Sequence, residues 1–102
     1  MKKIDILTGK QRSYLKGIAN GIKPIGQIGK GGVTDSFIKQ LDDALEAREI
    51  VKIHVLENSL LDAKETANEV AKKTNSHFVQ AIGNKFVLYR QAQKDPQIQI
   101  PK

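Results

Sequence analysis

The stretch Pro24-Ile25-Gly26-Gln27-Ile28-Gly29-Lys30-Gly31-Gly32-Val33-Thr34 decides how this chain is read. From Pro24 to Ile28 apolar residues alternate with small or polar ones and stop at glycines, as a short strand does; Val33 and Thr34 then open a helical pattern. Between them lies Gly29-Lys30-Gly31-Gly32, a G-x-x-G loop. A helix start leaves backbone N–H groups unpaired and carries partial positive charge, so a phosphate placed there gains hydrogen bonds and a favourable field. Glycines remove the Cβ atoms that hold a sugar-phosphate chain away, and Lys30 adds a mobile charge at the tip. The loop is therefore expected to clamp a nucleic-acid backbone. A plain turn is the competing reading of the same glycines, and the flanking chain arbitrates.

Upstream, Thr8-Gly-Lys-Gln11 has capping-box spacing and predicts a first helix over 8–20, with Tyr14, Leu15, Ile18 and Ile22 as its apolar stripe. Tyr14 is expected to pack rather than to stack on a base. Arg12 and Lys16 lie four residues apart on another face, which can look at solvent. Asn20-Gly21 ends the helix, and Lys23 before Pro24 is forced into an extended entry to the strand.

Downstream, Thr34 caps a second helix through about Arg48, with Phe37, Ile38, Leu41, Ala44 and Leu45 facing the core and Asp42, Asp43 and Glu46 facing away. Ile50 to Leu56 is the clearest strand: Val51, Ile53 and Val55 line one face, while Lys52 and His54 interrupt the other, which is therefore less buried. Asp62-Ala-Lys-Glu65 starts a third helix over about 62–75, with a stripe of small residues. Phe78–Ile82 and Phe86–Arg90 form an antiparallel hairpin about Gly83-Asn84. The result is one α/β domain over residues 1–95, in the order α-β-α-β-α-β-β. It has three helices on a mixed four-stranded sheet in which helix-separated strands pair in parallel, followed by an irregular tail, 96–102. In this topology the loop, Lys23 and the basic face of the first helix should meet in one neighbourhood.

The charge supports that placement. The 102-residue chain carries a formal net charge of +6, and residues 1–32 hold seven basic side chains against Asp5 alone. Residues 33–77 hold six basic against nine acidic, and 78–102 four basic against Asp95. Positive charge thus collects around the loop and on the last strand, as suits a polyanionic partner. With no cysteine, disulfides, thiolate metal sites and thiol nucleophiles are excluded. No apolar run is long enough for a membrane span, and the first residues turn polar too soon for a secretory signal, so a soluble cytoplasmic protein is expected.

Six segments resemble one family: Leu7 to Arg12, Tyr14 to Ala19, Lys23-Pro24, Gln27 to Thr34, Leu45 to Lys52 and Ile82 to Arg90. They are similar to the YhbY-type bacterial proteins of the CRM (chloroplast RNA splicing and ribosome maturation) domain family, over about residues 5–92. The resemblance implies an RNA-binding fold similar to the C-terminal domain of translation initiation factor three. It also implies a loop similar to that of KH domains, and association with large-ribosomal-subunit precursors. It places the RNA surface at Gly29, Lys30, Gly31 and Gly32, flanked by Lys10, Arg12, Lys16 and Lys23. Gly31 stands where relatives often carry asparagine, which removes a side-chain amide and loosens the loop.

The expected action is binding without chemistry. Loop amides and Lys30 would grip phosphates, and Tyr89 or Arg90 is the candidate for reading bases. No cofactor, metal or small-molecule substrate is expected: His54 and His77 lack a metal spacing, and no serine carries a nucleophile motif. The alternative is a protein-interaction module whose acidic second helix meets a basic partner.

Overall fold

The structure, a computed structural model, describes residues 6–101. Lys2, Lys3 and Lys102, counted in the charge distribution above, lie outside the described residues.

Three helices start at side-chain caps. In α1 (Gly9–Ala19) the Gln11 N–H donates to the Thr8 hydroxyl at 3.1 Å, and the Thr8 N–H donates to Gln11 Oε1 at 2.9 Å. In α2 (Asp35–Arg48) the Thr34 hydroxyl accepts the Phe37 N–H at 3.0 Å, and in α3 (Ala63–Thr74) the Asp62 carboxylate accepts the Glu65 N–H at 2.9 Å. Each cap satisfies a donor that the first helical turn cannot pair internally.

The strands β1 (Gly26–Ile28), β2 (Ile50–Val55), β3 (His77–Ile82) and β4 (Lys85–Tyr89) form one mixed sheet in the order β1-β2-β4-β3. β1 runs parallel to β2, with Gln27 opposite His54; β4 runs antiparallel to both its neighbours. β3 therefore does not pair with β2, contrary to the expectation that helix-separated strands are neighbours. The hairpin inserts β4 between them because Phe86, Val87, Leu88 and Tyr89 are all apolar and all buried, as an interior strand requires. β3 carries a bulge between Phe78 and Gln80 and ends at exposed Ile82, features suited to an edge.

Alternation along β4 assigns the two sheet faces. Phe86 and Leu88 join Val51, Ile53, Val55, Leu41, Leu45 and Val70 in the core beneath α2 and α3. Val87 and Tyr89 join Ile50, Val79, Leu15 and Ala19 beneath α1. Tyr14, expected to pack, is 44% exposed. The buried stripe of α1 is narrow: Leu15 and Ala19 fill it, and Tyr14 sits one residue, about 100°, off its centre.

Residues 90–101 contain neither helix nor strand, yet they are tied to the body. Glu49, 1% exposed and held at φ 68°, accepts the N–H groups of Ala92, Gln97 and Ile98. Ile98 and Ile100 pack against the core under α1, and Gln11 Nε2 donates to the Pro101 carbonyl at 3.1 Å.

Candidate nucleic-acid interface

Gly29 to Gly32 leave the end of β1 and reach α2 as one tight turn, in which the Gly32 N–H donates to the Gly29 carbonyl at 2.9 Å. Gly32 adopts φ +70°, a conformation that glycine takes without strain. Gly31 has no neighbouring atom within 4 Å of where a Cβ would stand, so its surroundings are open. The N–H groups of Gly29, Lys30 and Gly31 have no hydrogen-bond partner among the described residues, and Lys30 is exposed and in no ion pair. One loop amide is thus consumed internally and three remain. The first turn of α2 adds partial positive charge, offset in part by Asp35 within that turn.

The loop sits at one end of the sheet. Gly29 lies against the connection from β2 to α3, where Leu56 Cδ1 is 3.5 Å and Asn58 Oδ1 3.8 Å from its Cβ position. The turn of the hairpin is at the same end, since the Val55 N–H donates to the Asn84 carbonyl.

Of the other anticipated cations, Lys23 falls away from the loop. Lys23 precedes β1, so the strand places it at the far end from Gly29, roughly 20 Å away along extended chain. Lys10 and Lys16 are exposed on α1, Lys16 in its last turn; Arg12 is half-buried, and its Nε is buried without a partner. Among the described residues none of Lys10, Arg12, Lys16, Lys23 and Lys30 is in an ion pair. Lys23 and the loop thus stand at opposite ends of β1 rather than side by side, and that part of the expected neighbourhood is not met. Between them, on the face of the sheet that α1 covers only in part, stand Lys52, His54 and Lys85, whose side chains have no hydrogen bond or ion pair among the described residues.

Neither residue considered for base reading is free. Tyr89 is fully buried, its ring 6.3 Å from that of His77 and stacked on it, and burial with the nearby charge of Glu49 pushes its hydroxyl up to about 12. Arg90 donates to Asp42 Oδ1, to the Asp42 carbonyl at 2.9 Å and to the Thr74 carbonyl at 2.8 Å. It lines a surface cleft of about 790 Å³ at the opposite end from the loop, shared with Asp42, Asp43, Glu46 and Lys73. There Glu46 accepts the N–H groups of Gln93 and Lys94, which hold its carboxyl below the usual range. Among the described residues no group of His, Cys, Asp and Glu could hold a metal ion, and no helix is long and apolar enough to cross a membrane.

The sequence profile of the CRS1/YhbY (CRM) domain matches residues 7–90. The chain belongs to that family. Among CRM-domain relatives, the Bacillus subtilis protein named "Probable RNA-binding protein YqeI" is 46% identical over 96 residues, covering 94% of this chain and all of that one. A Haemophilus influenzae protein named "RNA-binding protein" is 30% identical over 96 residues, 94% of this chain and 96% of its own. The solution structure of SAV1595 from Staphylococcus aureus superimposes with a TM-score of 0.75 at 43% identity, over 94% of this chain and all of that one. The CRM match thus takes in every helix and strand and stops at Arg90, short of the segment that Glu49 holds.

Proposed function

We propose that this CRM domain binds RNA by its backbone. Phosphates lie against the free amides of Gly29, Lys30 and Gly31 with Lys30 closing over them, and Lys10, Arg12, Lys16 and Lys23 extend the positive field. The observation that carries the reading is the set of unpaired donors in an open glycine turn, beside a lysine that no carboxylate neutralises. The names of the relatives support RNA as the partner class. The cellular role we attach to it is assembly of the large ribosomal subunit, acting as a binding factor without turnover.

An acidic docking face on α2 is less well supported. Asp42 is engaged by Arg90 and Glu46 by the backbone of Gln93 and Lys94, which leaves little free acid for a basic partner.

The deciding variant is Lys30→Asp with Gly31→Asp. Gly31 has open space and lacks a positive φ, so the fold should persist, as an unchanged thermal midpoint would verify. Two carboxylates in the clamp should lower affinity for large-subunit RNA at least tenfold, an estimate from phosphate-contact electrostatics at about 1.4 kcal/mol per decade. With about four phosphates neutralised on a single strand, log affinity should fall against log salt with a slope near −3, roughly fifty-fold for a fourfold rise in salt. A folded double variant with unaltered affinity would remove the loop from the site.

A further inference from the structure

Lys30 and Lys23 stand beyond the two ends of β1, and the face of the sheet between them is covered only in part. Pairing register places Gln27, His54, Lys85 and Ile82 in one row across all four strands, since Gln27 faces His54, His54 faces Lys85, and Lys85 faces Ile82. Paired residues share a face. Because Val87, two residues after Lys85, packs beneath α1, this row lies on the α1 side of the sheet, beyond the helix's cover. Lys52, two residues before His54, continues the same face toward Lys23, as the Ile25 N–H bonds to the Lys52 carbonyl at 2.9 Å. Exposure agrees: Gln27 and Lys85 are exposed, Lys52 and His54 half-buried, and Ile82 is 65% exposed.

We propose that this row, with Lys52, is a second binding surface that carries a single RNA strand onward from the glycine loop across the sheet; it rests on the loop reading above. Three observations select that occupant. Lys52 and Lys85 have no neutralising carboxylate, so the face attracts a polyanion. The face is continuous with the clamp, because Gly29 follows Gln27 by two residues. The row also combines cations with a flat amide, an imidazole and an exposed aliphatic side chain, so phosphates and base faces both find partners. At about 4.8 Å per strand the row spans about 14 Å, wide enough for more than one nucleotide. Gln27 and Lys85 supply hydrogen-bond donors, and His54 offers a ring on which a base can stack.

The test compares two single-stranded oligouridylates, one of about four nucleotides, the length a G-x-x-G loop clamps, and one of about twelve. Lys52→Gln with Lys85→Gln should weaken the longer probe roughly tenfold and make its salt slope shallower by about 1.4, while the shorter probe binds as before. A control, Lys64→Gln with Lys72→Gln, removes the same charge from exposed positions on α3 and should leave both probes unaffected. An equal loss in the control would mean that bulk charge alone is felt, and would overturn the platform. Loss on the longer probe in the loop variant but none in the sheet variant would also overturn it, while sparing the clamp. Loss in the sheet variant with none in the loop variant would uphold the platform and remove the clamp. Retained amide chemical shifts on α2 and α3 would verify the fold of each variant.

Discussion

The two ends of the sheet spend their polar groups in opposite ways. At one end, Glu49, Glu46 and Arg90 are turned on the chain itself: Glu49 takes three amides, Glu46 two, and Arg90 gives to two carbonyls and a carboxylate. Around Gly29 to Gly32 three amides and the Lys30 side chain have no partner among the described residues, and neither do the side chains of Lys52, His54 and Lys85. Folding accounts for the first arrangement, since a buried donor or acceptor left unmade costs on the order of 1–3 kcal/mol. The second gains nothing for the fold, and it is the arrangement that the proposed RNA contact would use. The cleft of about 790 Å³ lies at the first end, where Asp42, Glu46 and Arg90 are already engaged by the chain itself.

Glu49→Ala attacks the comparison where it should yield most. It removes a buried carboxylate that satisfies three backbone N–H groups on the far side of the chain, and the expected loss is about 3 kcal/mol by denaturant melting. Hydrogen exchange should locate the damage, with protection lost at Ala92, Gln97 and Ile98. RNA affinity of the fraction that remains folded should be unchanged. A drop in affinity larger than the loss of folded protein would place part of the RNA surface at this end and break the distinction.

The next effect is alkaline. Tyr89 holds its proton up to about 12 because burial and the charge of Glu49 disfavour the phenolate, while the unfolded chain releases it near 10. Its contribution is thus complete below pH 10 and is lost as pH rises through 12, a fall of about 2 kcal/mol. Denaturant midpoints from pH 9 to 11.5 should drop in the parent and much less in Tyr89→Phe. A profile identical in the two proteins would mean that the hydroxyl reaches water.

Most of the fold was legible because it is written in local patterns. The caps at Thr8, Thr34 and Asp62, the period of α2, the alternation of β2 and the Gly83-Asn84 turn each occupy a few adjacent residues, and each stands where the sequence places it. The interior position of β4 was not read: the unbroken run Phe86 to Tyr89 speaks of burial on both faces but names no partner, and helix-separated β2 and β3 were expected to pair. The Glu49 clasp was not legible. Its acceptors are two carboxylate oxygens, its donors are backbone groups 43 to 49 positions away, and backbone donors leave no trace in side-chain identity. The candidate site divides in the same manner. The glycine loop is contiguous and was read directly, whereas the row from Gln27 to Ile82 exists only once register sets four strands side by side.

Two glycines sharpen the comparison with the smallest changes. At Gly32 the backbone itself needs glycine: φ is +70°, nothing lies within 4 Å of an added methyl, and Gly32→Ala should cost about 1 kcal/mol of stability through strain alone. At Gly31 neither φ nor crowding requires glycine, so Gly31→Ala should leave stability unchanged or raise it by a few tenths of a kcal/mol. Bareness at Gly31 then serves no purpose of the fold, and under the proposed clamp its use would be to let an RNA backbone come close. A methyl group there should weaken RNA binding severalfold while the melting midpoint holds. If Gly31→Ala binds RNA as tightly as the parent, phosphates do not press on that amide, and the grip rests on Lys30 and its charge.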